Sequence, residues 1–224
     1  MPKNKLERFA ELQTFPNCIY MSYQKAFDDR FELKGKWNAG HFRNANPIIL
    51  ELGCGKGEYT VGLARRYPHR NIIGVDIKGN RIWVGAKAAL DEKLDNAAFL
   101  RARIDFIDSA FASNEVSEIW ITFPDPQPTR KGEKKRLTSP RFLERYKKIL
   151  GPGGIIHLKT DSVLLYEYTL EIIRENKLGL IDSTNDLYGS HTSTAREEVK
   201  SIRTYYEAGY LAKGMKINYL AFAL

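Results

Sequence analysis

The sequence has few cysteines and no long apolar run. Its 224 residues include two cysteines, and Cys18 and Cys54 lie too far apart for a metal-ligand or redox motif. We therefore expect no metal site and a reduced, cytoplasmic protein. No apolar run reaches the ~18 residues of a membrane span, and the polar N-terminus lacks the apolar core of a signal peptide. These features predict a protein without a membrane segment.

Acidic residues are outnumbered by basic ones. The chain carries 35 Lys and Arg against 27 Asp and Glu, a formal net charge of +8. This excess favours a polyanionic partner such as nucleic acid, although a basic balance also serves solubility. A hydrophobic content of 43% is enough for one sizeable core. We expect a basic N-terminal arm over residues 1–46 and a single catalytic domain over residues 47–224.

The stretch PIILELGCGKG, from Pro47 to Gly57, predicts a buried strand, a glycine turn and the start of a helix. Glycine suits such a turn because the backbone can adopt positive φ and lie directly against a ligand. The spacing G-x-G-x-G, with Glu51 two residues before Gly53, differs from the G-x-G-x-x-G of the dinucleotide fingerprint. The pattern favours a nucleotide-type cradle that includes Gly53 and Gly55.

Acids follow successive predicted strands. Glu51 lies in the first strand, Asp76 follows the apolar run 72–75, and Asp105 comes shortly after the strand predicted over 98–102. In an open parallel sheet, ligands bind beyond the carboxyl ends of the strands, so these three acids can converge on one molecule. The alternation of strands and helices predicts an α/β, doubly wound, mostly parallel seven-stranded sheet with helices on both faces.

A proline-rich loop follows the fourth predicted strand of the catalytic domain. Three prolines in PDPQP restrict the backbone, so Asp125 is expected to be held rigidly at the mouth of the sheet. A basic cluster that suits contacts with RNA phosphates comes next. Its members are Arg130, Lys131, Lys134, Lys135 and Arg136.

These motifs resemble those of class I S-adenosylmethionine-dependent methyltransferases, which have a Rossmann-like fold. The sequence ELGCGKG carries the general likeness, and four later motifs narrow it: FPDP with its basic cluster, RLTSPRF, HLKTD (157–161) and TYYE (204–207). Together they are similar to the bacterial tRNA (guanine-N7-)-methyltransferase family. That resemblance implies methyl transfer to N7 of a guanine in tRNA, conventionally position 46 in the variable loop.

The resemblance also implies roles for individual residues. The positions expected to contact S-adenosylmethionine are Glu51, Gly53, Gly55, Asp76, Asp105 and Asp125. Asp125 is in addition the family's active-site acid. The expected substrate contacts are Asp161, Thr204 and Glu207, and the expected RNA contacts are Lys131, Lys134, Lys135 and Arg136.

Two positions depart from the family pattern. The family usually reads FPDPW followed one residue later by lysine, whereas this chain has Gln127 and Thr129 there. An aromatic stacking surface and a positive charge are therefore missing. We expect Arg130 to supply the charge as a substrate contact.

The implied reaction needs no general base. Guanine N7 carries a lone pair and no proton, so alignment of the reacting atoms is expected to dominate catalysis. We expect Asp125, with Asp161 or Glu207, to accept the guanine N1–H and N2 amino hydrogens. Because N7 lies in the deep groove of folded RNA, the base has to be unstacked or presented in a loop.

Other functions are compatible with parts of the sequence. A methyltransferase of the same fold that acts on an exocyclic amine would carry an aromatic residue after a second proline, which FPDP lacks. An NAD-dependent dehydrogenase is disfavoured by the glycine spacing, and a non-catalytic RNA-binding module by the retention of all expected acids. The protein is expected to act as a monomer or homodimer, with tRNA as its partner.

Overall fold

The structure is a computed structural model that describes residues 4–189 and 197–224. In chain order the strands are β1 (Cys18–Tyr20), β2 (Ile48–Leu52), β3 (Asn71–Asp76), β4 (Ala97–Arg101), β5 (Val116–Thr122), β6 (Leu150–Thr160), β7 (Gly179–Thr184) and β8 (Asn218–Ala223). The α-helices are α1 (Lys5–Leu12), α2 (Tyr23–Phe27), α3 (Glu58–Arg66), α4 (Gly79–Asp91), α5 (Ile107–Ala110), α6 (Pro140–Ile149), α7 (Val163–Glu175), α8 (Glu197–Ser201) and α9 (Tyr205–Ala212).

All eight strands form one sheet in the order β1-β4-β3-β2-β5-β6-β8-β7. The first six strands in this order are parallel to one another, whereas β8 pairs antiparallel with both β6 and β7. The chain runs outward from β2 through β3 to β4 and then returns to β5 on the other side of β2. The order therefore reverses between β2 and β5, where a doubly wound sheet opens a ligand crevice at its carboxyl edge.

Strand β2 divides its side chains between two cores. Successive residues of a strand point to opposite faces; accordingly, Ile48, Leu50 and Leu52 belong to one buried cluster and Ile49 to the other. Helices cover both faces: α3 contacts β2, β3 and β4, while α6 and α7 contact β6. The predicted class I, Rossmann-like fold is confirmed, with both faces of β2 buried.

The predicted count of seven strands is wrong by one, because the segment before β2 contributes an edge strand. Cys18–Tyr20 pairs parallel with β4, and Trp37 is fully buried. The Trp37 indole Nε1–H donates to Ala110 O at 3.0 Å, and its ring stacks on Phe111 with the centroids 5.3 Å apart. The proposed arm over residues 1–46 is thus packed on the domain at these positions.

The polar segment 185–203 is described in part. Helix α8 lies within it, and residues 190–196 fall outside the described residues. None of the helices in the described ranges is long and apolar enough to cross a bilayer. In the same ranges, no group of three or more His, Cys, Asp or Glu could hold a metal ion.

Candidate active site

The glycine turn after β2 lies beside the carboxyl end of β3. Gly53, Gly55 and Gly57 all have positive φ, between +55° and +79°, a region that L-residues with a Cβ rarely adopt. The Gly53 N–H donates to Val75 O at 2.8 Å, and the Gly55 N–H donates to Asp76 Oδ2 at 3.0 Å. The turn is therefore held against the end of β3, with Asp76 as its acceptor.

Glu51 lies beneath this turn, with 1% of its surface exposed. Its Oε2 accepts hydrogen bonds from the Thr60 N–H and hydroxyl, and its Oε1 accepts one from the Thr122 hydroxyl at 2.7 Å. Burial raises the Glu51 pKa to about 7, against the lowering effect of these hydrogen bonds. Glu51 thereby links β2 to the ends of α3 and β5 at the point where the strand order reverses.

Two cavities meet at Gly53. One, of about 630 Å³, is lined by Asp76 and Asp105. The other, of about 410 Å³, is lined by Glu51, Asp125, Asp161, Thr204 and, with them, Gly55. Gly53 lines both cavities, and a Cβ added to it would meet no atom within 4 Å. Lys135 also lines the larger cavity, so the structure brings nine of the predicted site residues to one edge of the sheet.

Asp105 is already engaged by two arginines. Its Oδ2 lies 3.1 Å from Arg103 Nη2 and its Oδ1 lies 3.1 Å from Arg141 Nη2. Both arginines also line the larger cavity. Asp105 therefore contributes a carboxylate whose charge is offset locally.

The proline-rich loop after β5 has a left-handed residue on each side of Asp125. Phe123 has φ +48° and Gln127 has φ +46°. The Asp125 side chain is exposed, and its Oδ1 accepts a hydrogen bond from the Gln127 N–H at 3.0 Å. The main chain of the loop thus orients the carboxylate toward the smaller cavity that it lines.

Asp161 and Thr204 also face this cavity. Asp161 directly follows β6, and its partial burial raises its pKa. Thr204 caps α9, because its Oγ1 accepts a hydrogen bond from the Glu207 N–H at 3.2 Å. The cap places the start of α9 at the mouth of the sheet.

Glu207 lies in the interior, where it is paired with Lys159. The resemblance implies contact with substrate, but the Glu207 side chain is fully buried and its Oε1 lies 2.7 Å from Lys159 Nζ. The Tyr188 hydroxyl donates to the same oxygen at 2.7 Å. In this structure the Glu207 carboxylate is part of an interior ion pair, and its substrate contact stays a prediction.

The basic cluster divides into exposed and buried members. Arg130, Lys131, Lys134 and Lys135 are exposed. Arg136 is 6% exposed and donates to the main-chain oxygens of Pro126 and Gln127. Arg136 therefore differs from the exposed members of the cluster, because its guanidinium lies beneath the loop, and its expected RNA contact stays a prediction.

Several residues of the site were not predicted from the sequence. Thr60 and Thr122 hold Glu51, and Lys159 holds Glu207. Tyr206 and Tyr210 line the smaller cavity. Thr122 could have been suspected because it ends β5 beside the crevice. The Lys159 pairing joins residues 48 positions apart, so local patterning carries no signal for it.

Comparisons with known proteins agree with this architecture. A family model described as "Putative methyltransferase" matches residues 45–219. The tRNA (guanine-N(7)-)-methyltransferase of Christiangramia forsetii is 52% identical over 222 residues, which cover 99% of this chain and 98% of that protein.

Solved structures show the same fold at low sequence identity. The structure of the 16S rRNA methyltransferase KamB superposes on this chain with a TM-score of 0.60 and 17% sequence identity. The superposition covers 80% of this chain and 88% of KamB. A variant of the 16S rRNA (adenine(1408)-N(1))-methyltransferase of Catenulisporales acidiphilia with the cosubstrate SAM has a TM-score of 0.52 at 13% identity, covering 82% and 88% of the two chains. Both are methyltransferases with a comparable fold.

Proposed function

This chain belongs to the tRNA (guanine-N(7)-)-methyltransferase family, and from that premise we propose that it transfers the methyl group of S-adenosylmethionine to N7 of a guanine in tRNA. The observation that carries the proposal is the pair of cavities that meet at Gly53, one lined by Asp76 and Asp105 and the other by Asp125 and Asp161. One cavity suits the donor and the other a guanine. The reaction is proposed to occur where the two cavities meet.

The residues of the larger cavity fit the donor. Gly53 exposes its backbone to open space, so a ligand can lie directly against the turn. Asp76 accepts one hydrogen bond per oxygen, from the Gly55 and Lys78 N–H groups, which leaves acceptor capacity for ribose hydroxyls. Asp105 borders the same space. When bound, S-adenosylmethionine supplies an electrophilic methyl carbon attached to a sulfonium.

The acids of the smaller cavity are better suited to bind a guanine than to remove a proton from the substrate. Guanine N7 has no proton to lose, and its opposite edge offers N1–H and the N2 amino group. An ionised Asp125 accepts both hydrogens and offsets the positive charge that develops on the methylated ring. Asp161 borders the same cavity as a second acceptor. Cytosine and uracil cannot present this pair of donors.

The reaction requires no base in this cavity, because guanine N7 carries no proton. Among the described residues that line it, no histidine occurs. Glu51 has a pKa of about 7, but its two oxygens accept hydrogen bonds from Thr60 and Thr122, and it is 1% exposed. In-line displacement without a general base is therefore the proposed mechanism, with alignment as its main source of rate.

We place the target guanine in an accessible part of the tRNA, the variable loop at conventional position 46. Thr204, at the start of α9, and Tyr206 line the cavity that would receive the unstacked base. Tyr206 is 44% exposed and offers the aromatic face that Gln127 does not. Glu207 contributes indirectly, by capping the same helix.

The RNA backbone is proposed to lie on the exposed basic residues beside the loop. Arg130, Lys131 and Lys134 border one surface cavity next to Tyr168, and Lys135 borders the larger site cavity. This chain has Thr129 at the position of the family lysine. Arg130 is proposed to supply the positive charge of that lysine. Because phosphate contacts position the RNA without reading its sequence, base choice is left to the acids of the smaller cavity.

We propose further that the enzyme acts in the cytoplasm, where its tRNA substrate is processed, as a monomer or homodimer. The division at residue 47 is retained as a proposed boundary between an arm and the catalytic domain.

The decisive experiment uses unmodified tRNA and labelled S-adenosylmethionine. Label should enter the tRNA, and cleavage specific to N7-methylguanine should map it to the variable loop. A matched tRNA with 7-deazaguanine at that position has no N7 and should remain unlabelled. Label that resists this cleavage would instead indicate an exocyclic amine, and tRNA binding without labelling would indicate a binding module.

A further inference from the structure

Arg136 lies beneath the loop that carries Asp125. The Arg136 Nε–H donates to Pro126 O at 3.2 Å and to Gln127 O at 3.3 Å, and Nη2 donates to Gln127 O at 3.2 Å. The guanidinium carbon lies 4.3 Å from the centroid of the Tyr168 ring. The side chain is thus fixed on two sides, by consecutive carbonyls and by an aromatic face.

The loop that Arg136 contacts has an unfavourable backbone. Phe123 and Gln127 both have left-handed φ, although neither is glycine, and such conformations persist only where the surroundings enforce them. The bonds from Arg136 end on the carbonyl of Gln127 and on that of the preceding residue. They therefore act on one of the two strained positions.

The same strained residue orients the proposed active-site acid. The Gln127 N–H donates to Asp125 Oδ1 at 3.0 Å, so the conformation of Gln127 sets where that carboxylate points. Arg136 thus bonds the carbonyl of the residue whose N–H bonds the acid.

From this arrangement we infer that Arg136 is a positioning residue, which acts through Gln127 to hold Asp125 in place. The inference rests on the proposed function, since Asp125 is the residue that would meet the guanine. Arg136 differs in solvent exposure from the two residues before it in the chain, because Lys134 and Lys135 are exposed whereas Arg136 is buried. Its guanidinium bonds the carbonyls of Pro126 and Gln127, so its charge is directed inward.

The test compares Arg136→Met with Lys131→Met. For each variant we would measure the single-turnover methylation rate at saturating tRNA and the Kd for tRNA from low to moderate salt. Arg136→Met should lower the rate about 10- to 100-fold, since a displacement of the order of 1 Å can cost ~100-fold. Its Kd and salt slope should match those of wild type. Lys131→Met should weaken tRNA binding and reduce the salt slope.

A double-mutant cycle separates positioning from other roles. If Arg136 acts through Asp125, adding Arg136→Met to an Asp125→Asn enzyme should lower the rate less than about 3-fold further. Arg136→Lys keeps a charge but lacks the planar fork, so it should fall between wild type and Arg136→Met. If Arg136→Met does not fold, as judged by circular dichroism, Arg136→Lys carries the same cycle.

Three results would overturn the inference alone: a full rate in the folded variant, additive losses in the cycle, or weaker tRNA binding with a smaller salt slope. The last of these would return Arg136 to the RNA surface. A wild-type enzyme that leaves N7 unmodified would instead overturn the proposed function, and this inference with it.

Discussion

Lys159 Nζ lies 2.7 Å from Glu207 Oε1, and both side chains are fully buried. The same ammonium donates to Val199 O and, at 3.1 Å, to Ile202 O, while the Tyr188 hydroxyl donates to Glu207. Burial lowers the Lys159 pKa, and the Glu207 carboxylate opposes this shift. One lysine at the end of β6 therefore holds both α8 and α9 against the sheet.

Removing one partner of this pair should be strongly destabilising. Lys159→Met leaves the buried Glu207 carboxylate with one fewer partner. Because breaking a buried ion pair is strongly destabilising, we expect the free energy of unfolding to fall by roughly 3–5 kcal/mol. Chemical denaturation would measure the free energy of unfolding. The double variant Lys159→Met/Glu207→Leu should recover a large part of the loss.

The exposed pair Lys147–Glu144 provides a matched control, since both side chains are more than 40% exposed. Lys147→Met should change the free energy of unfolding by less than ~1 kcal/mol. Equal losses from Lys147→Met and Lys159→Met would contradict the importance of the buried pair.

The buried Glu51 carboxyl should make stability depend on pH. Its folded pKa of about 7 lies above the ordinary value of 4.5, so the folded state retains a proton that the unfolded state releases between these values. This contribution is fully present below about pH 4.5 and is lost as pH rises through about 7. From ~1.36 kcal/mol per pKa unit, the contribution is about 3 kcal/mol.

Glu51→Gln tests this linkage in protein without bound donor. Its amide oxygen can keep both bonds from Thr60, and its amide nitrogen can donate to Thr122. The variant should therefore be more stable than wild type at pH 8, by up to about 3 kcal/mol, and similar to it near pH 4.5. The exposed Glu144→Gln serves as control. Parallel pH curves for wild type and Glu51→Gln would rule out the raised pKa.

The sequence allowed the β2 crevice and its acids to be predicted, because buried strands and glycine turns have strong local signatures. A parallel sheet then brings the strand ends, and with them Asp76 and Asp125, to one edge. Strand β1 was missed because three residues without alternation form a strand only by pairing with distant β4. The burial of Arg136 could not be predicted from the sequence, because Arg136 lies in a run of basic residues and is buried only through the fold of the loop above it. The partner of Lys159 likewise depends on tertiary packing.

The exposed lysines of the basic cluster should set the salt dependence of tRNA binding. If each of these lysines contacts one phosphate, each single replacement by Ala, at Lys131, Lys134 or Lys135, should lower the magnitude of the slope of log K against log salt by roughly 0.7–0.9. Arg130→Ala should behave similarly and weaken binding at low salt. Filter binding across a salt series measures both quantities.

Lys93 provides the control for this series. It is exposed and borders a cavity at the opposite edge of the sheet, together with Ala97 at the start of β4. Lys93→Ala should leave the slope unchanged. An Arg130→Ala enzyme with unchanged affinity at low salt would refute its proposed substitution for the family lysine.

Asp125→Asn should slow methyl transfer by roughly 100- to 1,000-fold, the range seen when one group that stabilises developing charge is lost. The amide keeps the size of the side chain but loses its charge and one acceptor. Single-turnover rates at saturating tRNA and donor would measure the effect. Replacing the target guanosine by inosine, which lacks the N2 amino group, should lower the methylation rate of wild type more than that of the variant. Full activity in Asp125→Asn would remove this residue from the proposed mechanism.

The pH dependence of the single-turnover rate tests whether a base takes part. Because N7 has no proton to lose, the rate should stay flat from neutral pH upward until guanine N1 ionises. A rate that follows one ionisation near neutrality would argue against this mechanism. Glu51 is the group to examine in that case, since its pKa is about 7. If the ionisation disappeared in Glu51→Gln, it would belong to this buried carboxyl; if it persisted, another group would have to act as the base.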